Sequence, residues 1–179
     1  GGDNGLARYD GAHFSPIGPE QGFDGHSVHA LTVDRQGNLL IGYSASTDST
    51  AQIARYDGAQ CTLLFADAAS NAEESINALV LTRQDALWFA YGTAIAKDRG
   101  KGIGCLRPGA GVSFHTTAEG LADDRVEDLL EDHQGRICIA TLGGLSCFDG
   151  IRLHNFTTED GLPNNRIRSL CEDRQGHLW

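Results

Sequence analysis

The sequence contains no methionine, and its 14 Lys and Arg are outnumbered by 24 Asp and Glu, a formal net charge of −10. A surface of that sign repels phosphate backbones, which argues against a nucleic-acid partner. No apolar run is long enough to cross a bilayer, so these residues are not expected to insert into a membrane. No secretory leader is readable either. Cysteine is scarce and odd in number, and five residues cannot make a complete disulfide set. Apolar spacing of helical period with caps appears nowhere at convincing length. The seven His are scattered with no pair at finger spacing, and Asp3, Asn4, Gly5 and Asp48 do not complete a calcium loop. No metal or cofactor is therefore expected. No nucleophile with an orienting base, and no dedicated acid–base pair, can be assembled from sequence order. The expectation is a protein that is not an enzyme and has no catalytic residues.

What is present is glycine, at 23 residues, in a chain that is 40% hydrophobic and 21% charged. That composition is globular, and glycine without a collagen period implies many turns between short strands.

Three landmarks recur in fixed order. The first is an apolar-alternating run: Val28–Leu31, Ile76–Leu79, Val126–Leu129 and Ile167–Leu170. The second is a turn leading into a strand, beginning at Asp34-Arg35-Gln36-Gly37, Thr82-Arg83-Gln84-Asp85, Asp132-His133-Gln134-Gly135 and Asp173-Arg174-Gln175-Gly176. The third is a strand closing on an aromatic-Asp-Gly turn at Tyr9-Asp10-Gly11, Tyr56-Asp57-Gly58 and Phe148-Asp149-Gly150, with a degraded copy at Leu106-Arg107-Pro108. In Asp-x-x-Gly the carboxylate accepts from backbone N–H groups and Gly takes the positive φ. Short apolar segments at Phe14, Leu64, Phe114 and Phe156 mark a fourth strand. The first landmark recurs after 48, 50 and 41 residues, a period that fits four-stranded β-propeller blades.

The fold expected is all-β, a β-propeller of about four four-stranded blades. Three are complete, at about 26–65, 74–115 and 124–157. An N-terminal and a C-terminal half-blade, residues 1–17 and 165–179, can combine into a composite fourth. A closed ring of four and a fragment of a larger propeller both fit the sequence.

The stretch Gly161-Leu162-Pro163-Asn164-Asn165-Arg166-Ile167-Arg168-Ser169-Leu170-Cys171-Glu172-Asp173-Arg174-Gln175-Gly176-His177-Leu178-Trp179 closely resembles the two-component regulator propeller repeat. Gly5–Gly11 is similar to another part of it, and the likeness is weakest over 82–110, where Thr82 and Asp85 replace the turn Asp and Gly. The resemblance implies a non-catalytic ligand-sensing propeller, periplasmic or otherwise extracytoplasmic, in a receptor whose output domain lies elsewhere. It implies a small ligand such as a carbohydrate fragment. A scaffold that binds a protein partner on the same face is the alternative, and a propeller glycosidase or lyase is a third reading.

The loops leading into the first strands carry polar groups suited to a ligand: His26 and Ser27, Glu74 and Ser75, Asp123, Asp124 and Arg125, and Asn164, Asn165 and Arg166. The same side chains also suit plain turn chemistry. The second-to-third-strand loops Tyr43–Gln52 and Gly92–Gly102 are longer than their counterpart in the third unit, and they fit either one wall of a recognition surface or plain surface insertions. The loop Gly92–Gly102 holds the basic cluster Lys97, Arg99 and Lys101. Counting outward from the turn Thr141-Leu142-Gly143-Gly144 places Cys138 opposite Cys147, where either a disulfide or two small buried residues fit.

Overall fold

The computed structural model describes residues 5–45, 50–67, 74–93 and 100–179, and only the backbone of His26, Ala45, Glu74 and Thr93. The described residues are all-β. Strands β1 (Leu6–Tyr9) and β2 (Phe14–Ile17) form a two-stranded antiparallel sheet. Three four-stranded sheets follow, each in the up-and-down order expected of a blade. The first is β3 (Gly25–Val33), β4 (Leu39–Ala45), β5 (Ala51–Tyr56) and β6 (Cys61–Ala66). The second is β7 (Glu74–Leu81), β8 (Leu87–Thr93), β9 (Ile103–Arg107) and β10 (Gly111–His115). The third is β11 (Val126–Glu131), β12 (Ile137–Thr141), β13 (Leu145–Phe148) and β14 (Leu153–Phe156). Residues 167–179, read from sequence as two strands, instead make a hairpin with a single bridge, Glu172 to Leu178. Cys171 and Trp179 exchange backbone hydrogen bonds of 2.9 and 2.7 Å at its open end.

The chain divides into two compact units, one running to Asn77 and one beginning at Ala78. The first is built around Leu6, Ile17, Phe23, Val28, Ile41, Tyr43 and Ala54, with the Phe23 and Tyr43 rings 5.0 Å apart. In the second, Trp88, Ala90, Ile103 and Cys105 pack against Leu121, Val126, Leu129, Ile137 and Ile139. Complete burial of an Ile such as Ile139 contributes ~1.5–3 kcal/mol.

Burial grades across each sheet. The second strand is the most buried: every residue of β12 is buried, as are Leu87–Tyr91 of β8. The fourth strands, β6 and β14, are largely exposed. Alternation along the sequence implies one buried face. The second strand is instead covered on both, which is why Leu87–Tyr91 and Ile137–Ala140 carry no polar interruption between alternate apolar positions.

The turns between first and second strands share one geometry. Asp34 Oδ1 accepts from the amides of Gln36 (2.9 Å) and Asn38 (2.8 Å). Asp132 Oδ1 accepts from Gln134 and Arg136, and Asp173 Oδ1 from Gln175 and His177, all at 2.9 Å. Gly37, Gly135 and Gly176 lie at φ +85, +81 and +82°. In the degraded copy Asp85 takes that left-handed position at φ 59° and the Thr82 hydroxyl accepts from Ala86 N–H at 3.1 Å. Thr and Asp thus reproduce the turn at the cost of one acceptor bond and some backbone strain.

The second carboxylate oxygen is also used. Arg136 Nε donates to Asp132 Oδ2 at 2.6 Å, and Trp179 Nε1 to Asp173 Oδ2 at 2.9 Å. Burial by itself raises the Asp132 carboxyl, but the Arg136 hydrogen bonds outweigh it and hold the group below its ordinary range. Trp179 and the His177 amide hold Asp173 down to about 2.

Within the second unit the next residue of each turn ties one repeat to its successor. The Arg83 amide donates to Glu131 Oε2 at 3.0 Å and its guanidinium to the carbonyls of Asp132 and His133. One repeat on, the His133 amide donates to Glu172 Oε1 at 3.1 Å and its ring Nδ1 meets the same oxygen. The His133 ring occupies the space over Gly176, where a Cβ would come within 2.8 Å.

Asp132→Ala is expected to lower unfolding free energy at neutral pH by ~2 kcal/mol, since it orphans turn donors. The unfolded chain takes up the proton first as pH falls, so the carboxylate's contribution is full above pH ~4 and lost below it. Urea titrations should therefore show the wild-type advantage over Asp132→Ala shrinking as pH drops from about 4 towards 2.

Candidate functional site

The segment from β10 to β11 is set by a short 3-10 turn, Thr117–Glu119. Thr116 and Glu119 form a capping box: Thr116 N–H donates to Glu119 Oε2 at 2.7 Å, and Ala118 N–H to Thr116 Oγ1 at 3.1 Å. Leu121, only 4% exposed, then plugs into the core and fixes the following loop.

On that loop Asp123, Asp124 and Arg125 line an open cleft of about 350 Å³ together with Gly100, Thr117 and Ala122. Asp123 Oδ1 accepts from the Arg125 amide and from Arg125 Nε, both at 2.8 Å. The Arg125 hydrogen bond lowers the Asp123 carboxyl, against the opposing effect of burial, so the pair is ionised at neutral pH. Asp124 Oδ1 accepts from Thr117 N–H at 2.6 Å and Oδ2 from the Thr117 hydroxyl at 3.1 Å. The Asp124 carbonyl accepts from Gly102 N–H at 3.0 Å. The cleft presents a charge pair, a carboxylate and a hydroxyl within a small space, an array able to exchange several hydrogen bonds with a polar ligand.

The C-terminal copy repeats the scaffold. Asn164 Oδ1 accepts from Arg166 N–H at 2.8 Å, as Asp123 does from Arg125, and Asn165 Oδ1 from Thr158 N–H at 2.7 Å, as Asp124 does from Thr117. The Arg166 side chain is exposed. In the first unit Ser27 lies in β3 opposite Ser44, and Ser75 is buried in β7. The side chains of His26 and Glu74 lie outside the described residues. Of the polar residues predicted from sequence, the described cleft gathers Asp123, Asp124 and Arg125. Gly100 lies in the longer loop Gly92–Gly102 singled out from sequence, while Thr117 and Ala122 were not among the residues predicted.

Of the two longer loops, residues 46–49 and 94–99 lie outside the described residues, Lys97 and Arg99 among them. At the base of the first, Tyr43 OH donates to Gln52 Oε1 at 2.7 Å. At the base of the second, Lys101 Nζ sits 5.3 Å from the centroid of the buried Tyr91 ring. Cys138 lies opposite Cys147, with the two sulfurs 3.1 Å apart as thiols. Among the described residues no three His, Cys, Asp or Glu side chains cluster as a metal would require, and no helix is long and apolar enough to cross a membrane.

A Cβ on Gly100 would fall 1.9 Å from the Asp124 carbonyl. Gly100→Ala is accordingly expected to displace the cleft loop and to cost ~1–3 kcal/mol in thermal or urea unfolding. Gly150→Ala, where a Cβ meets only open space but φ is +96°, serves as the control for backbone strain alone.

Residues 161–179 match the two component regulator propeller family. No curated protein matches the chain in sequence. Among solved structures the chain is similar to the extracellular domain of BT4673 from B. thetaiotaomicron, described as a one component or hybrid two component system. The TM-score is 0.74 at 16% identity, covering 99% of this chain and 23% of that one. The extracellular domain of BT3049, described as a hybrid two component system of the same organism, gives 0.72 at 18%, covering 98% and 24%. Virginiamycin B lyase from Staphylococcus aureus gives 0.62 at 14%, covering 87% and 48%. The chain therefore spans about a quarter of the length of the first two. At these identities the likeness concerns the fold, which is that of four-stranded β-propeller blades. The likeness of residues 161–179 to the family repeat is borne out by the match. Residues 161–179 match the two component regulator propeller repeat, and the chain has the β-propeller fold.

Proposed function

We propose that this chain is the ligand-sensing, non-catalytic propeller region of an extracytoplasmic signalling receptor, and that the cleft beside Asp123, Asp124 and Arg125 takes part in binding. The observation that carries this is the match of 161–179 to the two component regulator propeller family. The likeness to extracellular domains of BT4673 and BT3049 supports it. The chemistry of the cleft favours binding over catalysis. Asp123 is held ionised by Arg125 and is not a proton donor at neutral pH, and Asp124 is engaged by Thr117. A polyhydroxylated ligand such as a carbohydrate fragment suits this mixture of donors and acceptors.

A ligand that binds only the folded state must raise its melting temperature. In a thermal-shift panel of oligosaccharide fragments, at least one saccharide should give a concentration-dependent rise that Arg125→Ala weakens ten-fold or more. No shift with any saccharide, a shift untouched by Arg125→Ala, or conversion of the saccharide would contradict the proposal.

A further inference from the structure

The five cysteines include one matched pair. At the equivalent cross-strand position the first sheet pairs Leu40 with Arg55 and the second pairs Trp88 with Cys105. Only in the third sheet are both members cysteine, Cys138 on β12 and Cys147 on β13. No other two thiols are hydrogen-bonded to each other among the described residues, which include Cys61, Cys105 and Cys171.

The register decides what the pair can do. Thr141 N–H donates to the Gly144 carbonyl at 3.0 Å across the turn, so Thr141 and Gly144 are a hydrogen-bonded pair. Antiparallel pairs alternate, which makes Ala140–Leu145 non-hydrogen-bonded, Ile139–Ser146 hydrogen-bonded and Cys138–Cys147 non-hydrogen-bonded. Non-hydrogen-bonded sites bring opposite Cα atoms to ~4.5 Å, inside the range a disulfide spans. Both side chains lie on the same face of the hairpin, 0% and 5% exposed, with their sulfurs already 3.1 Å apart. Forming the bond asks the sulfurs to approach by about 1 Å, through side-chain rotation and with no change of register.

We infer that Cys138 and Cys147 are an oxidisable pair that closes into a disulfide across β12 and β13. The co-reactant is a dithiol–disulfide oxidant or a small disulfide such as oxidised glutathione. The thiolate of Cys147, the slightly more exposed residue of the two, attacks one oxidant sulfur and expels the other as thiolate. The Cys138 thiolate then attacks the Cys147 sulfur and releases the second oxidant thiolate. Two cysteine sulfurs are oxidised, one oxidant disulfide becomes two thiols, and the two cysteine protons pass to the released thiolates. Burial and the zipped hairpin oppose attack by a third thiol, so the pair should close on itself and not stop at a mixed disulfide.

The experiment uses the 179-residue chain equilibrated in glutathione buffers of graded oxidation, acid-quenched, alkylated and digested with trypsin. Residues 137–152 form one tryptic peptide holding both sulfurs. The expected result is that this peptide escapes alkylation and is lighter by the two hydrogens lost, while Cys61, Cys105 and Cys171 remain alkylated. The oxidised chain should melt ~5–10 °C higher than the reduced one, a gain absent in Cys147→Ser. Quantitative alkylation of 137–152 in the most oxidising buffer, in the native chain and after refolding alike, would overturn the inference, and so would a stable glutathione adduct on Cys147. A chain refolded from the unfolded, oxidised state provides the second measurement. If access to the native pair is the only obstacle, the bond appears there; its absence in both preparations again overturns the inference.

Discussion

One carboxylate oxygen per repeat organises the chain. Oδ1 of Asp34, Asp132 and Asp173 each binds two backbone amides, two and four residues downstream. The turn so closed fixes how the first and second strands pair, and with side chains alternating along a strand a slip of one residue would reverse every face. Where the aspartate is lost, Thr82 and the left-handed Asp85 rebuild the same closure, which shows that the geometry is the constraint and the residue type its usual solution.

Register then determines burial. With the turn locked, β12 carries Ile137 and Ile139 into a cluster shared with Trp88 and Ala90, while Cys138 and Ala140 are buried on its other side. The same strands anchor the loops above them. Leu121 enters that cluster and holds the Thr116–Arg125 segment, so a polar cleft is carried by a rigid support. The Asp123–Arg125 and Asp124–Thr117 contacts are at once turn chemistry and the lining of the cleft.

Much of this was legible in the residues. The spaced landmarks placed the turns, and counting from Thr141–Gly144 put Cys138 opposite Cys147, as observed. The closure by Thr82 and Asp85 sits where the repeat is degraded. The apolar runs of β8 and β12 carry a trace of two-sided burial, but the sequence reading rested on alternation and one buried face, because what covers the second face is non-local. The 3-10 turns at Pro19–Gln21, Thr117–Glu119 and Thr158–Asp160 are too short to carry a helical period. Gly100 joins the cleft through its approach to the Asp124 backbone, far along the chain, and no local pattern encodes such a contact. Residues 167–179 carry the strand pattern of their repeat but form only a bridged hairpin, since a strand also needs neighbours on its flanks.

Amide hydrogen exchange with peptide resolution tests this hierarchy most directly, because protection reports how much structure must open before an amide meets water. The account predicts that Ile137–Thr141, with the Gln134 and Arg136 amides held by Asp132, exchanges far more slowly than Leu153–Phe156 of the same sheet. Equal rates, or slower exchange in the fourth strand than in the second, would contradict it.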